Sequence, residues 1–290
     1  MSRSPPESFP ELHLVGLEEL RSLDRFTLER RARACVSPVY LGGNRALCRI
    51  LGRLKFFLDT RDEGFGAHVL LDGFWEGWLT TFIAHRLKPG MSFVDIGANF
   101  GYYTLLAGDL VGPSGHVAAI EPNPAAVTLL TKSVALNGFN GWTKIHRVAA
   151  GEGTTKAARL VVPLTEPKNA YLTDASTSAV GEVVSVPCTS ADHLLQSLER
   201  VDFIKVVAEG SEEAIVRGLR QTIERHRPDM IIEFNPRRCL NPRETLSTLL
   251  EHYGKIATLE TDGQLHTASP ETLLSPGRNE DWLLFLTRSE

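Results

Sequence analysis

The sequence predicts an α/β protein built around a doubly wound sheet, and three observations carry that prediction. Short strand-like runs at 93–96, 116–120, 144–150, 201–208, 229–234 and 281–286, most of them apolar, recur along the chain, separated by segments with helical spacing and helix caps. The run Val201-Asp202-Phe203-Ile204-Lys205-Val206-Val207-Ala208 is apolar enough to lie centrally in a parallel sheet covered on both faces. The first run ends in Asp95 and passes through Gly97-Ala98-Asn99-Phe100-Gly101 into Thr104-Leu105-Leu106-Ala107-Gly108, which reads as a helix. Strand, tight turn and helix start form the unit with which such sheets hold ligands at their carboxyl edge.

That turn suits a small molecule. Gly97 and Gly101 can turn sharply and let a ligand lie on the backbone, while the unpaired amides of the helix start favour a polar or anionic group. A dinucleotide fingerprint needs glycine where Asn99 and Tyr102 stand, and their side chains would crowd a pyrophosphate, which disfavours a nicotinamide dehydrogenase. No Gly-Lys-Ser/Thr of a Walker loop is present. Asp95 would repel phosphate but would suit an ammonium group. Glu121 follows about twenty residues after the turn, at the end of the next strand, where a doubly wound sheet faces ribose hydroxyls. Ammonium and ribose together describe S-adenosylmethionine better than NAD.

Four motifs now stand in order: Val94-Asp95-Ile96-Gly97-Ala98-Asn99-Phe100-Gly101, Glu121-Pro122-Asn123-Pro124, Leu136-Asn137-Gly138, and Ile204-Lys205-Val206-Val207-Ala208-Glu209-Gly210-Ser211-Glu212. Together they resemble the FkbM family of S-adenosylmethionine-dependent methyltransferases, over roughly residues 70 to 290. The resemblance implies a Rossmann-like class I methyltransferase sheet, here with an N-terminal helical and β-hairpin extension. It implies a division into that extension at residues 1–70 and a methyltransferase domain at 71–290. With the chemistry of the turn, it places the cofactor at Asp95, Gly97, Ala98, Asn99, Phe100, Gly101, Thr104, Glu121, Pro122 and Asn123. The acceptor it implies is oxygen on a sugar or other small natural product.

Residues 1 to 10 are rich in Pro and Ser and read as a mobile tail. Leu17, Leu20, Leu23 and Leu28, set among Glu and Arg, suggest one or two amphipathic helices over 14–34. Residues 46–58 read as a β-hairpin turning at Gly52, in keeping with the strand-rich lead-in of the family. The aromatic segment Phe74-Trp75-Glu76-Gly77-Trp78 precedes a helix over 79–87 that Pro89 and Gly90 stop; its rings read as core packing. Family members carry an acid near the cofactor in a comparable setting, so Glu76 is a candidate cofactor residue. The hairpin and these aromatics could form a homodimer contact or a lid.

Strand 116–120 is followed by a helix over 124–137, and a third strand is expected over 144–150. Ala149, Ala150 and Gly151 leave room at its end for a flat ring, the reading that makes Ala150 a cofactor residue, or form a plain tight turn. Residues 152–190 break the rhythm with two strand-like runs, 160–164 and 183–187, around a polar segment from Thr165 to Gly181 that is expected to border the acceptor pocket. A helix over 191–198, the central strand, a helix over 213–226, the strand 229–234, a helix over 244–252 and a closing strand 281–286 complete the sheet.

Methyl transfer to a hydroxyl needs alignment and a proton acceptor. Glu209, in the family's Glu-Gly signature, and Glu233, ending the fifth strand beside Asn235, are the catalytic candidates; Ser211 and Glu212 could help position substrate. The family pattern reads Lys-Ile/Val-Asp-x-Glu-Gly, and here Val207 takes the Asp position. Strand alternation would point 207 and 209 to one side, where two acids could bind a divalent metal such as Mg; with Val207, only Glu209 remains for one. The competing expectation is therefore a catalytically impaired S-adenosylmethionine-binding protein with a regulatory or assembly role. Lys205 reads as a buried ion pair or a stem along apolar surface, and no histidine, including His193 and His226, is assigned to catalysis.

A net charge of −4 gives no electrostatic footprint for nucleic acid. No apolar stretch nears the roughly 20 residues a bilayer span needs, and the first residues lack the apolar core of a signal peptide. Cys35, Cys48, Cys188 and Cys239 form no Cys-x-x-Cys pair, so neither a zinc site nor a disulfide framework is expected. The expectation is a cytoplasmic protein acting on a small molecule.

Overall fold

The computed structural model describes residues 13–173, 180–275 and 281–288. The expected tail, and residues 174–179 of the polar segment, lie outside the described residues.

The N-terminal reading resolves into two helices, α1 (Leu17–Ser22) and α2 (Arg25–Cys35), followed by β1 (Val39–Gly42), β2 (Arg45–Ile50) and β3 (Leu54–Asp59). These strands form an antiparallel meander in which the expected hairpin gains β1 as a third strand. Two helices follow: α3 (Phe65–Asp72), which the sequence did not announce, and α4 (Gly77–Arg86).

The sheet then begins with β4 (Ser92–Ile96), α5 (Tyr102–Val111), β5 (His116–Ile120) and α6 (Pro124–Leu136). Helix α6 starts where Asn123 caps Ala125 N–H at 3.0 Å and Pro124, which lacks a donor, fills the first turn. The chain continues through β6 (Thr143–His146), β7 (Ala149–Gly151), β8 (Ala157–Val162), β9 (Tyr171–Thr173), β10 (Glu182–Ser190) and α7 (Ala191–Leu195). It ends with β11 (Phe203–Val206), α8 (Glu212–Gly218), α9 (Arg220–His226), β12 (Asp229–Phe234), α10 (Pro242–Tyr253), β13 (Ala257–Leu259), β14 (Leu265–Thr267), α11 (Pro270–Leu273) and β15 (Trp282–Leu286).

The large sheet has the order β14-β13-β15-β12-β11-β4-β5-β6. From β6 to β12 the strands are parallel, and β15, β13 and β14 add on antiparallel. The order reverses between β4 and β11, and a doubly wound sheet opens a crevice at that reversal. Alternation along the strands separates two cores. Phe93 and Phe203 face a cluster shared with Leu20, Phe56 and Leu106, whereas Val94, Ile96, Ile204 and Val206 face Ile215, Ile223 and Leu246. One apolar cluster thus runs across residue 70, from the N-terminal elements into the sheet.

Four sequence expectations change. The strand expected over 144–150 is two strands, because β6 stays at the sheet edge while Ala149–Gly151 turns away to pair with Cys188–Ser190 of β10 in a second sheet, β7-β10-β8-β9. The helix expected over 213–226 breaks at Leu219 into α8 and α9. The run at the chain's end is not the sheet's edge: β15 inserts between β12 and β13. The central strand is also shorter than 201–208, ending at Val206.

Candidate active site

A cleft of about 1120 Å³, counted out to its open mouth, lies at the carboxyl ends of β4, β5, β11 and β12, and the second sheet contributes Ala149, Ala150 and Leu160 to its wall. Of the expected cofactor residues, Glu76, Gly97, Ala98, Asn99 and Phe100 line it. So do Glu121, Pro122, Asn123 and Ala150, together with the acceptor candidates Glu209 and Glu233. Pro167 and Lys168 of the polar segment border the same space.

Asp95, Gly101 and Thr104 are not among the lining residues. Asp95 is fully buried: Thr104 Oγ1 donates to its Oδ2 at 2.7 Å, and Lys205 Nζ donates to its Oδ1 at 3.3 Å. The parallel register sets Asp95 beside Lys205, so the ammonium that Asp95 meets is the protein's own. Gly101 is needed for packing rather than for ligand approach. It has φ +98°, and a Cβ there would collide with Leu130 Cδ1 of α6. Gly97 does face the cleft, at φ +74°, and a Cβ there would collide with the Val207 carbonyl oxygen.

Glu121 holds the turn from the other side. Its Oε2 accepts Asn99 N–H at 2.8 Å and its Oε1 accepts Asn123 N–H at 2.7 Å. Burial, only partly offset by these two bonds, pushes its carboxyl up to about 7. Asn99 takes a left-handed backbone, φ 52°, and its Nδ2 donates to Lys168 O at 3.1 Å, tying the polar segment over the turn. Glu76, also left-handed at φ 39°, accepts Tyr103 Oη at 2.6 Å.

At the opposite end, Glu209 (φ 49°) and Glu233 face the cleft around Arg238, from the loop after β12. Arg238 Nη1 lies 3.4 Å from Glu209 Oε2 and 3.5 Å from Glu233 Oε2, while its Nη2 donates to Asp281 Oδ2 at 2.8 Å. Asp281 is itself braced by Asn235 Nδ2 at 2.7 Å. The Arg238 contact to Glu233 lacks hydrogen-bond geometry, and Glu233 Oε2 is a buried oxygen without a donor. Burial, then the charges of Asp281, Glu209 and Glu212, push the Glu233 carboxyl up to about 8 against the opposing pull of Arg238.

A family model described as the methyltransferase FkbM domain matches residues 95–256, more than half of the chain. The chain belongs to the FkbM family of methyltransferases. It is 31% identical over 68 residues to a protein-L-isoaspartate O-methyltransferase of Methanothrix thermoacetophila, and the match spans 23% of this chain and 30% of the length of that relative. A solved FkbM methyltransferase of Methylobacillus flagellatus KT is 17% identical, with 72% of this chain and 53% of that chain covered, at a TM-score of 0.42. A precorrin-6y C5,15-methyltransferase of Geobacter metallireducens GS-15 is 15% identical, with 74% and 88% covered, at a TM-score of 0.39. Likeness at that level says nothing of substrate.

In this FkbM methyltransferase the position of the usual Asp, Val207, lies on the cleft wall. Because β11 stops at Val206, strand pleating does not set how 207 and 209 face; Glu209 reaches the cleft through its left-handed backbone. Among the described residues no group of three or more His, Cys, Asp or Glu side chains could hold a metal ion, so the donor set does not fit the Mg left open at Glu209. The guanidinium of Arg238 stands between Glu209, Glu233 and Asp281, where a cation would have to sit. Glu212 does not reach the substrate space either. Its oxygens accept Ala208 N–H at 2.7 Å and Gly210 N–H at 2.9 Å, bracing the turn after β11, while Ser211 lines the cleft.

Sequence reasoning missed several residues of the wall, Trp75, Tyr103 and Lys205 among them. Trp75, read as core packing, lines the cleft, with Lys168 Nζ 5.6 Å from its ring centroid, whereas Phe74 is buried as expected. Its position next to Glu76 was the available signal. Tyr103 and Lys205 also line the cleft. Lys205 is the buried ion pair expected, but its pairing with Asp95 could not be read without the strand register.

Proposed function

We propose that this FkbM methyltransferase binds S-adenosylmethionine in the cleft and methylates a hydroxyl oxygen of a sugar or other small natural product. The observation that carries the reading is the pair of carboxylates, Glu76 and Glu121, flanking the Gly97 turn within one cleft. Glu121, Asn99, Ala150 and the Gly97 turn line that cleft together, which supports Glu121 as the acceptor of ribose hydroxyls and Asn99 and Ala150 as neighbours of the nucleoside. When bound, the cofactor supplies an electrophilic methyl group on a sulfonium.

The protein's own part is to align the acceptor and to remove its proton. Glu233 suits proton removal, because its donor-free Oε2 can accept a hydroxyl proton and burial among other acids gives it a high proton affinity. Glu209, held by Arg238, offers a second carboxylate to orient the acceptor. The same reading takes residues 1–70 as an extension of a domain at 71–290, with a cytoplasmic setting, the N-terminal hairpin and the aromatics at 74–78 as a homodimer contact or a lid, and neither nucleic acid nor membrane as partner. Among the described residues no helix is long and apolar enough to cross a membrane.

Titration with S-adenosylhomocysteine and NADH tests the cofactor. The first is expected to bind and the second not, and the reverse would sink the reading. A candidate acceptor should gain the mass of one methyl group. Val207 on the cleft wall supports a second reading, a cofactor-binding regulatory or assembly protein, which binding without turnover on any acceptor would favour.

A further inference from the structure

The loop between β8 and β9, residues 163–170, borders the cleft through Pro167, Lys168 and Ala170. Its base is fixed where Val161 pairs with Tyr171 across the two antiparallel strands. Within the loop, Asn169 N–H donates to Glu166 O at 2.9 Å and Asn169 Nδ2 donates to Glu166 Oε2 at 2.7 Å, so residues 166–169 are braced to move as one piece.

What holds this loop down is polar and sparse. Leu164, its large apolar side chain, is 63% exposed, and among residues 163–170 only Pro167 is buried. Three hydrogen bonds reach the rest of the molecule. Lys168 N–H donates to Asp62 Oδ2 at 3.0 Å, Lys168 O accepts Asn99 Nδ2 at 3.1 Å, and Thr165 O accepts Glu63 N–H at 3.2 Å. The Lys168 peptides are thus gripped from two sides, by the N-terminal elements through Asp62 and by the glycine turn through Asn99. Asp62 is 1% exposed, and its other oxygen accepts Gly66 N–H at the start of α3, at 2.9 Å. A hydrogen bond to a carboxylate is about twice as strong as one between neutral groups, which makes the Asp62 contact the firmest of the three. A segment with so little apolar anchorage opens locally at far lower cost than the sheet beneath it.

We propose that residues 163–170 form a strap that lifts to let the cofactor enter and leave the cleft, with Asp62 as the positioning residue that clasps it shut. The inference rests on the S-adenosylmethionine reading above and concerns passage rather than affinity. The clasp is made without any ligand in the cleft, so releasing it eases lifting in the free and the bound protein alike.

Stopped-flow binding of S-adenosylhomocysteine tests it, followed by tryptophan fluorescence because Trp75 lines the cleft. Asp62→Ser keeps an acceptor for the start of α3 but is too short to reach Lys168. It is expected to raise the association and dissociation rates together by about tenfold, leaving Kd unchanged. The double variant Glu63→Cys/Thr165→Cys, oxidised to a disulfide across the contact between those residues, is expected to slow both rates, and reduction to restore them. It carries the test should Asp62→Ser fail to fold. Faster dissociation with unchanged association would mean that Asp62 supports binding rather than passage, and it overturns the strap. Rates that neither variant moves overturn it too, and both results leave the cofactor reading standing. A wild-type protein that binds no S-adenosylhomocysteine overturns the cofactor reading and the strap together.

Discussion

Asp95 and Glu233 are both carboxylates near the carboxyl ends of parallel strands, yet the fold treats them oppositely. Asp95 is sealed between Thr104 and Lys205, with both oxygens engaged. Glu233 keeps a buried oxygen without a donor, and its register partner on β15 is Leu283, where Asp95 has Lys205 on β11. The contrast teaches that an acid at a strand end acquires its role from the adjacent strand. A cation in register makes it structural, and the lack of one leaves an oxygen free and, with burial, a carboxyl of raised proton affinity.

The largest expected effect breaks the sealed side. Lys205→Met should destabilise the protein by about 3–5 kcal/mol, because Asp95 is left as an uncompensated buried charge, and chemical denaturation measures it. A loss of under about 1 kcal/mol would show that solvent reaches Asp95 and that the two acids are alike.

Glu233→Gln sharpens the other side. The unfolded chain ionises this carboxyl near its ordinary 4.5, whereas the folded chain holds the proton up to about 8. Stability is therefore lost as pH rises from 4.5 to 8, and the loss is complete above 8. The Gln variant is expected to be the more stable protein at about pH 9, by a margin that shrinks to nothing below about pH 4.5. Parallel stability–pH curves for the two proteins would refute the raised carboxyl.

Glu121 makes a smaller, ligand-linked prediction. Its carboxyl titrates at about 7 in the folded protein, and the ionised form is the better acceptor for ribose hydroxyls. Affinity for S-adenosylhomocysteine should rise from about pH 6 to about pH 8 by up to about tenfold, and Glu121→Gln should flatten the dependence. The smallest effect belongs to Arg238→Met, whose side chain is 37% exposed among its three acids. It is expected to cost under about 1 kcal/mol of stability, a value that thermal unfolding near neutral pH checks against the Lys205 variant.

Strand 116–120 matches β5, and strand 229–234 matches β12, because a buried parallel strand declares itself through apolar content and its bounding turns. That Gly97, Glu121, Glu209 and Glu233 stand at strand ends facing one cleft was legible as well, since residue type at a strand end is something local pattern can locate. Strands β13 and β14, three residues each, are too short to show a period, and β7 was hidden because no Gly, Pro or other turn signal divides residues 144–150.

Short-range periodicity and backbone preference were enough to set the alternating α/β order, the tight turn at 97–101 and which acids stand at strand ends. Long-range packing was needed to set β15 inside the sheet, to make Gly101 the room for Leu130, and to close off Asp95 with Lys205 while Arg238 gathers Glu209, Glu233 and Asp281. Those outcomes depend on contacts between residues up to 110 positions apart, as for Lys205 and Asp95. Strand register and packing create such contacts, and no local window of the chain contains them.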